Sequence, residues 1–396
     1  MKLNKFFGPS TLVTAAFIGP GTITTCTMAG VESGYTLLWA LLFSIVATII
    51  LQEIAARIGF VTQKGLGEAI VQQYPTGILR ILVLILVISS IIIGNAAYEA
   101  GNISGGILGM ELIVGDFRFW PLVMGFFSFA ILWYGGYKWL EKVLISLVVM
   151  MSLCFLMTVI IVQPPIIEIL KGFVPSNIND SSYLLILGLI GTTIVPYNLF
   201  LHASTISKKW KADSKLSDIR TENITSITLG GIISIMIVIT AAASRGITSE
   251  VSNATDLAMQ LEPLFGSAAK VLMGLGLMAA GLSSTLTAPI AAAYAAKGLF
   301  GWPEGDNNIK FRMVWISILM IGVFVAMTGL RPILIIKFAQ ITNAILLPFI
   351  AGFLIYIANS KKILGQYTNG FIINLLSVSV IIITVMLSIK TLSAVL

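Results

Sequence analysis

Two short stretches set oxygen-bearing side chains beside a proline inside otherwise apolar sequence. The first reads Gly19-Pro20-Gly21-Thr22, followed by Thr24 and Thr25; the second reads Thr192-Thr193-Ile194-Val195-Pro196-Tyr197-Asn198. A proline gives no amide hydrogen to the turn before it and crowds that turn's carbonyl, so it can break a helix beside hydroxyl and amide groups. Neutral oxygens of this kind suit a hard cation that keeps part of its water, such as Mg2+. They suit hydrogen bonding to a polar solute equally well. Gln340 and Asn343 add two amides in a later apolar run. Three ionisable residues within or at the edge of apolar runs also stand out: Glu99, His202 (the only histidine) and Arg312. A carboxyl or imidazole in such a place is a candidate proton carrier. The alternatives are a protonated, packed Glu99, a His202 imidazole hydrogen-bonded between helices, and an interfacial anchor at Arg312.

These residues need membrane spans to position them. The chain is 57% hydrophobic and 10% charged, with a mean hydropathy of +0.98; soluble domains carry about 25% charged residues. A spanning helix needs about 20 apolar residues. Eleven stretches qualify: 11–31, 36–57, 79–108, 119–136, 142–162, 183–206, 223–244, 268–296, 313–330, 336–357 and 371–393. The expectation is an all-α polytopic membrane protein, one transmembrane domain over residues 1–396, with Ser207–Glu222 the longest polar connection. The first run contains proline and glycines with no cleavage site after it, so it reads as a mature span. The net charge of +7 does not point to nucleic acid, because the basic residues sit between apolar runs. Placing the N-terminus in the cytoplasm puts 17 of the 24 Lys and Arg inside and 7 outside, as the positive-inside rule requires. The C-terminus is then outside. Cys26 and Cys154 lie within apolar runs with no Cys-x-x-Cys pair and read as inert buried thiols.

Spans 1 and 6 are the interrupted ones, at Pro20-Gly21 and Pro196-Tyr197. They are five spans apart. Interrupted helices at matching positions of two halves point to a transporter site between inverted repeats, here over about 8–163 and 182–358, with an extra helix over about 371–393. Two ordinary proline kinks are the alternative.

Gly19–Trp39 reads GPGTITTCTMAGVESGYTLLW, Gly191–His202 reads GTTIVPYNLFLH, and Gly281–Thr287 reads GLSSTLT. Together with Leu51–Glu68 (LQEIAARIGFVTQKGLGE), Trp139–Lys142, Ala339-Gln340 and Leu347–Phe349, these resemble the natural resistance-associated macrophage protein (Nramp) family of proton-coupled divalent metal transporters. The resemblance covers nearly the whole chain in order. It implies the leucine-transporter fold, two inverted five-helix repeats around a midplane site with broken helices 1 and 6, plus an eleventh helix. It also implies where a metal would bind: Gly19 and Thr22 stand where the family has Asp and Asn, Val195 where it has a Met sulfur, and Thr192 where it uses a backbone carbonyl. Thus the break residues persist while the carboxylate and thioether are gone. The family's membrane glutamate matches Glu99 and its second span-6 histidine matches His202. Its nearby acid is Ala96 here, and the histidine beside the proline is Tyr197. Arg312 matches an arginine on the proton exit route.

A secondary transporter follows, moving either a weakly bound, hard divalent cation, with proton coupling open, or a small carboxylate or zwitterion held at the exposed N-terminus after Gly19–Thr22. A receptor-like or transport-dead relative is the remaining alternative. No nucleophile set, phosphate loop or metal-ligand cluster appears, which argues against an enzyme and against any cofactor. The expected partners are the transported ion or solute and membrane lipid, the latter near Lys208, Lys209, Lys211 and Lys215. No nucleic acid or obligatory protein partner is implied.

Overall fold

Prolines behave in two ways along this chain. Pro20 and Pro196 each begin a new helix, whereas Pro289 and Pro348 are carried inside continuous ones. The residue before a proline is pushed towards extended backbone. Gly19 (φ −96°, ψ −177°) and Val195 (φ −94°, ψ 117°) adopt it. Ala288 and Leu347 are strong helix formers and hold the turn instead.

The computed structural model describes residues 8–74, 76–134, 138–176, 180–210, 214–245, 251–303 and 308–395, and among these all regular structure is helical. The first half holds α1 (Pro9–Phe17), α2 (Pro20–Ser33), α3 (Leu38–Thr62), α4 (Leu66–Gln73), α5 (Ile78–Val114), α6 (Trp120–Tyr134), α7 (Lys138–Val162) and α8 (Ile166–Gly172). The second holds α9 (Asp180–Thr193), α10 (Pro196–Lys209), α11 (Leu216–Ala243), α12 (Ala254–Met259), α13 (Glu262–Phe265), α14 (Ala269–Phe300), α15 (Ile309–Ala326) and α16 (Pro332–Ala358). Then come α17 (Lys361–Leu364) and α18 (Phe371–Val395). Eight helical stretches are long and apolar enough to cross a membrane, one of them α9 with α10. Trp120–Tyr134 and Ser146–Val162 are shorter apolar helices. With α1–α2 these account for the eleven expected spans. At 1.5 Å per residue, α1 reaches about 14 Å and α2 about 21 Å, so neither crosses alone. Lys2, Lys5 and Lys211, used in the orientation count, lie outside the described residues.

The long α5 packs along α14 and α16, while α2 lies against α11 and α3 against α10. Small residues set the closest crossings, as membrane helices require. A Cβ on Gly281 of α14 would stand 2.5 Å from the Gly106 Cα of α5, and one on Gly105 would collide with the Pro20 ring. A Cβ on Gly191 of α9 would strike the Gln340 carbonyl of α16. Large apolar side chains such as Phe126, Phe324 and Phe371 are exposed on the outside of the bundle.

The Glu53–Arg57 pair expected from its spacing is present at 3.1 Å, but it is part of a larger tie. Arg57 is 2% exposed and also donates to the Tyr367 carbonyl (2.5 Å) and to Asn369 Oδ1 (2.6 Å), while Glu53 accepts from Arg220 Nε at 2.8 Å. One buried guanidinium thus joins α3 to the segment before α18, its charge compensated as burial demands.

Gly191→Leu should unseat α9 from α16 at a cost of about 3 kcal/mol or more. Gly352→Leu, on the same α16 with nothing within 4 Å of its Cβ position, should be tolerated. Size-exclusion profiles and thermal midpoints of the purified variants check this, and equal behaviour would rule out the contact as a determinant.

Candidate substrate site at the two helix breaks

Each break frees one carbonyl by the same chemistry. In a helix the carbonyl of residue 16 would accept from the amide of residue 20, and that of residue 192 from residue 196. Both donors are prolines, so Ala16 O and Thr192 O have no such partner. The hydroxyl of Thr22 donates to the Phe17 carbonyl and accepts from the Thr192 hydroxyl at 2.8 Å. One hydrogen-bonded relay therefore ties the first break to the second. Thr193 turns back onto its own helix, donating to Leu189 O at 2.9 Å.

Around this tie stand polar groups with no partner. Thr24 Oγ1, Gln340 Oε1, Ser284 Oγ and both amide atoms of Asn198 are buried without a hydrogen bond. The Gln340 amide lies over Gly21, where a Cβ would collide with it, and Ser284 Oγ sits 2.9 Å from the Cβ position of Gly19. A buried polar atom left unpaired costs about 1–3 kcal/mol, so a cluster of them at two facing helix breaks calls for an occupant. All these side chains are 2% exposed or less. No group of three or more His, Cys, Asp or Glu among the described residues could hold a metal ion. The donors are neutral oxygens and amides.

Gly19, Pro20, Gly21, Thr22, Thr192, Val195, Pro196, Asn198 and Gln340 thus lie at or against the breaks. Val195 is fully buried, and its carbonyl is occupied by the Asn198 amide at 3.0 Å. Ser284 went unrecognised as a site residue; its only sequence signal is the Ser283-Ser284-Thr285 triplet inside an apolar span. The N-terminus of α2 is less available to an anion than its sequence suggests. Pro20 has no amide hydrogen, Thr22 N and Ile23 N both donate to Gly19 O (3.1 and 3.3 Å), and Gln340 covers Gly21.

Glu99 is fully buried on α5, its Oε2 accepting from Asn102 at 3.4 Å and its Oε1 unpartnered. It packs against Gly322 of α15. Its neighbour Tyr98 meets Tyr197 edge-to-face, ring centroids 5.3 Å apart, so α5 lies against the second break at this level. His202 lies about 9 Å further along α10 than Pro196. Its Nδ1 pairs with Gln52 Oε1 at 2.9 Å and its Nε2 with Ser10 Oγ at 3.2 Å, joining α10 to α3 and α1. Arg312 is not brought to Glu99. It stacks over Trp133 at 4.5 Å, ten residues or about 15 Å along α15 from the glycine that faces Glu99.

The fold is that of transporters built from two inverted five-span repeats with a broken first helix in each, α18 being the eleventh span. The manganese transporter of Eremococcus coleocola shares it with a TM-score of 0.79 at 22% identity, over 98% of this chain and 86% of that one. MhsT, solved in complex with L-phenylalanine, shares it with a TM-score of 0.63 at 15% identity over 98% of both chains. Residues 10–394 match the Natural resistance-associated macrophage protein-like (Nramp) profile, and the chain belongs to that family. A relative from Listeria innocua named divalent metal cation transporter MntH is 27% identical over 98% of this chain and 89% of its own length. The natural resistance-associated macrophage protein 2 homolog of Dictyostelium discoideum is 28% identical over 93% of this chain and 60% of its own. The chain is therefore a membrane transporter rather than an enzyme.

Thr22→Val should strand the Phe17 carbonyl and the Thr192 hydroxyl together and lower stability by about 1–3 kcal/mol. Thr22→Val with Thr192→Val should cost less than the sum of the two single changes, because they share one bond. Denaturation of the purified variants reads this, and strict additivity would deny the relay.

Proposed function

We propose that this protein is a secondary transporter of a divalent metal cation, held between the α1–α2 and α9–α10 breaks and released by alternating access. The observation that carries the reading is the set of buried, unpartnered neutral donors at the breaks, at Thr24, Asn198, Ser284 and Gln340. The names of the curated relatives, divalent metal cation transporters among them, support the substrate class. With Gly19, Thr22 and Val195 supplying neither charge nor sulfur, the preference falls on a hard, partly hydrated ion such as Mg2+ over tightly held Mn2+ or Fe2+. The occupied α2 amides favour a cation over a carboxylate solute. The protein is assigned to the cell membrane with its N-terminus in the cytoplasm and its C-terminus outside, on the basic-residue asymmetry.

In proteoliposomes the wild type should take up Mg2+ saturably. Loss of the carboxylate alone should leave its Mn2+ affinity at least about one to two orders of magnitude below that of a family member with Asp, Asn and Met at these positions. Gly19→Asp, Thr22→Asn and Val195→Met together should recover part of the Mn2+ affinity. Micromolar Mn2+ saturation in the wild type would overturn the preference. Stabilisation by a carboxylate solute and by neither metal would overturn the cation reading.

Proton coupling is assigned to Glu99, the buried carboxyl of α5. Glu99→Gln should abolish the pH dependence of uptake in a protein that still folds. An unchanged pH response would reduce Glu99 to a packing role.

A further inference from the structure

We propose that Ser284 of α14 is a direct ligand of the transported cation, filling from the eighth span the coordination position that Gly19 leaves without a side chain. The inference rests on the cation reading above.

Buried hydroxyls in this protein have a habit. Ser44, Thr48, Ser152, Thr158, Thr193, Ser234 and others donate to the carbonyl four residues back, at 2.7–3.1 Å. Thr287, three residues on in the same helix, does so to Ser283 O at 2.8 Å. Ser284 does not. Its oxygen is fully buried, has no partner, and is aimed at Gly19, 2.9 Å from where a Cβ would stand. The same point lies 3.8 Å from Ala16 O, the carbonyl that Pro20 deprives of its helical donor. Two oxygens from different helices therefore converge on the face of the first break from which a side chain at position 19 would project.

The packing explains how α14 reaches so far in. Gly281, one turn before Ser284, lies against Gly106 of α5 with room for no side chain, and Gly105 beside it admits the Pro20 ring. These contacts bring α14 and the first break onto adjacent positions of α5. A hydroxyl is neutral, so the exchange keeps an oxygen at the position while removing its charge, in keeping with a hard, weakly held ion.

The test uses the full-length protein with Cys26 and Cys154 changed to alanine, Mg2+ and Cd2+ as probes, and calorimetry alongside proteoliposome uptake. Ser284→Ala should weaken Mg2+ binding by roughly fivefold to tenfold. Ser284→Cys, nearly isosteric but soft, should raise Cd2+ affinity by at least about tenfold over its parent. Because both side chains would serve one position, Gly19→Asp should restore cation binding to the Ser284→Ala protein. If the alanine variant fails to fold, the cysteine variant decides alone. Binding by the parent, with Cd2+ affinity unmoved in a folded Ser284→Cys protein, overturns the role of Ser284 and leaves the cation reading standing. A parent that neither binds nor takes up any divalent cation overturns the cation reading itself.

Discussion

A proline cannot donate a backbone hydrogen bond, and in this protein that deficit at two positions governs the centre of the molecule. Pro20 and Pro196 cut two spans into halves too short to cross the bilayer alone. The same deficit frees the Ala16 and Thr192 carbonyls. In hydrocarbon such groups are tolerated only where protein, ion or water meets them, so the breaks must lie in the interior of the bundle. The Thr22–Thr192 relay, the Gln340 amide over Gly21 and the Ser284 hydroxyl at Gly19 are all responses to that demand.

The interior of the site is polar, and the donors at the breaks are neutral. A divalent ion at this depth loses hydration that only close oxygens can replace, and neutral oxygens replace it incompletely. Such an ion would keep some water and bind loosely. The unpartnered donors at Asn198 and Gln340 are well suited to hydrogen-bonding those waters, because an amide can accept through its oxygen and donate through its nitrogen.

The sequence made the breaks legible because proline acts locally: Pro20-Gly21 and Pro196-Tyr197 each interrupt an apolar run beside oxygen-bearing residues, five spans apart. The Glu53–Arg57 pair was legible for the same reason, since four residues fix the distance on a helix. What depends on how helices cross was not. Thr22 stands where the family has a ligand, but the engagement of its hydroxyl with Phe17 and Thr192 could not be read from spacing. Arg312 stood open between an arginine of the proton exit route and an interfacial anchor, and its place over the Trp133 ring came only from how α15 packs. Ser284 could be placed only once the Gly106–Gly281 crossing had fixed how far α14 enters.

The contacts also differ in stiffness. Where Gly191 meets Gln340 and Gly281 meets Gly106, backbones touch with no side chain between them, and close-packed surfaces of this kind resist gradual deformation. Among the described residues one hydroxyl relay hydrogen-bonds the breaks to one another, an interaction of about 1 kcal/mol net, beside the packing of α2 on α9, where Thr25 lies against Gly188. Further along α10 His202 adds two side-chain bonds, to Gln52 and Ser10, and the Arg57 tie is bound into α3 and the segment before α18. Separating the half-helices would have to break the relay and part the α2–α9 packing together. A cation that coordinated the relay's oxygens in place of their hydrogen bonds would offset part of that cost.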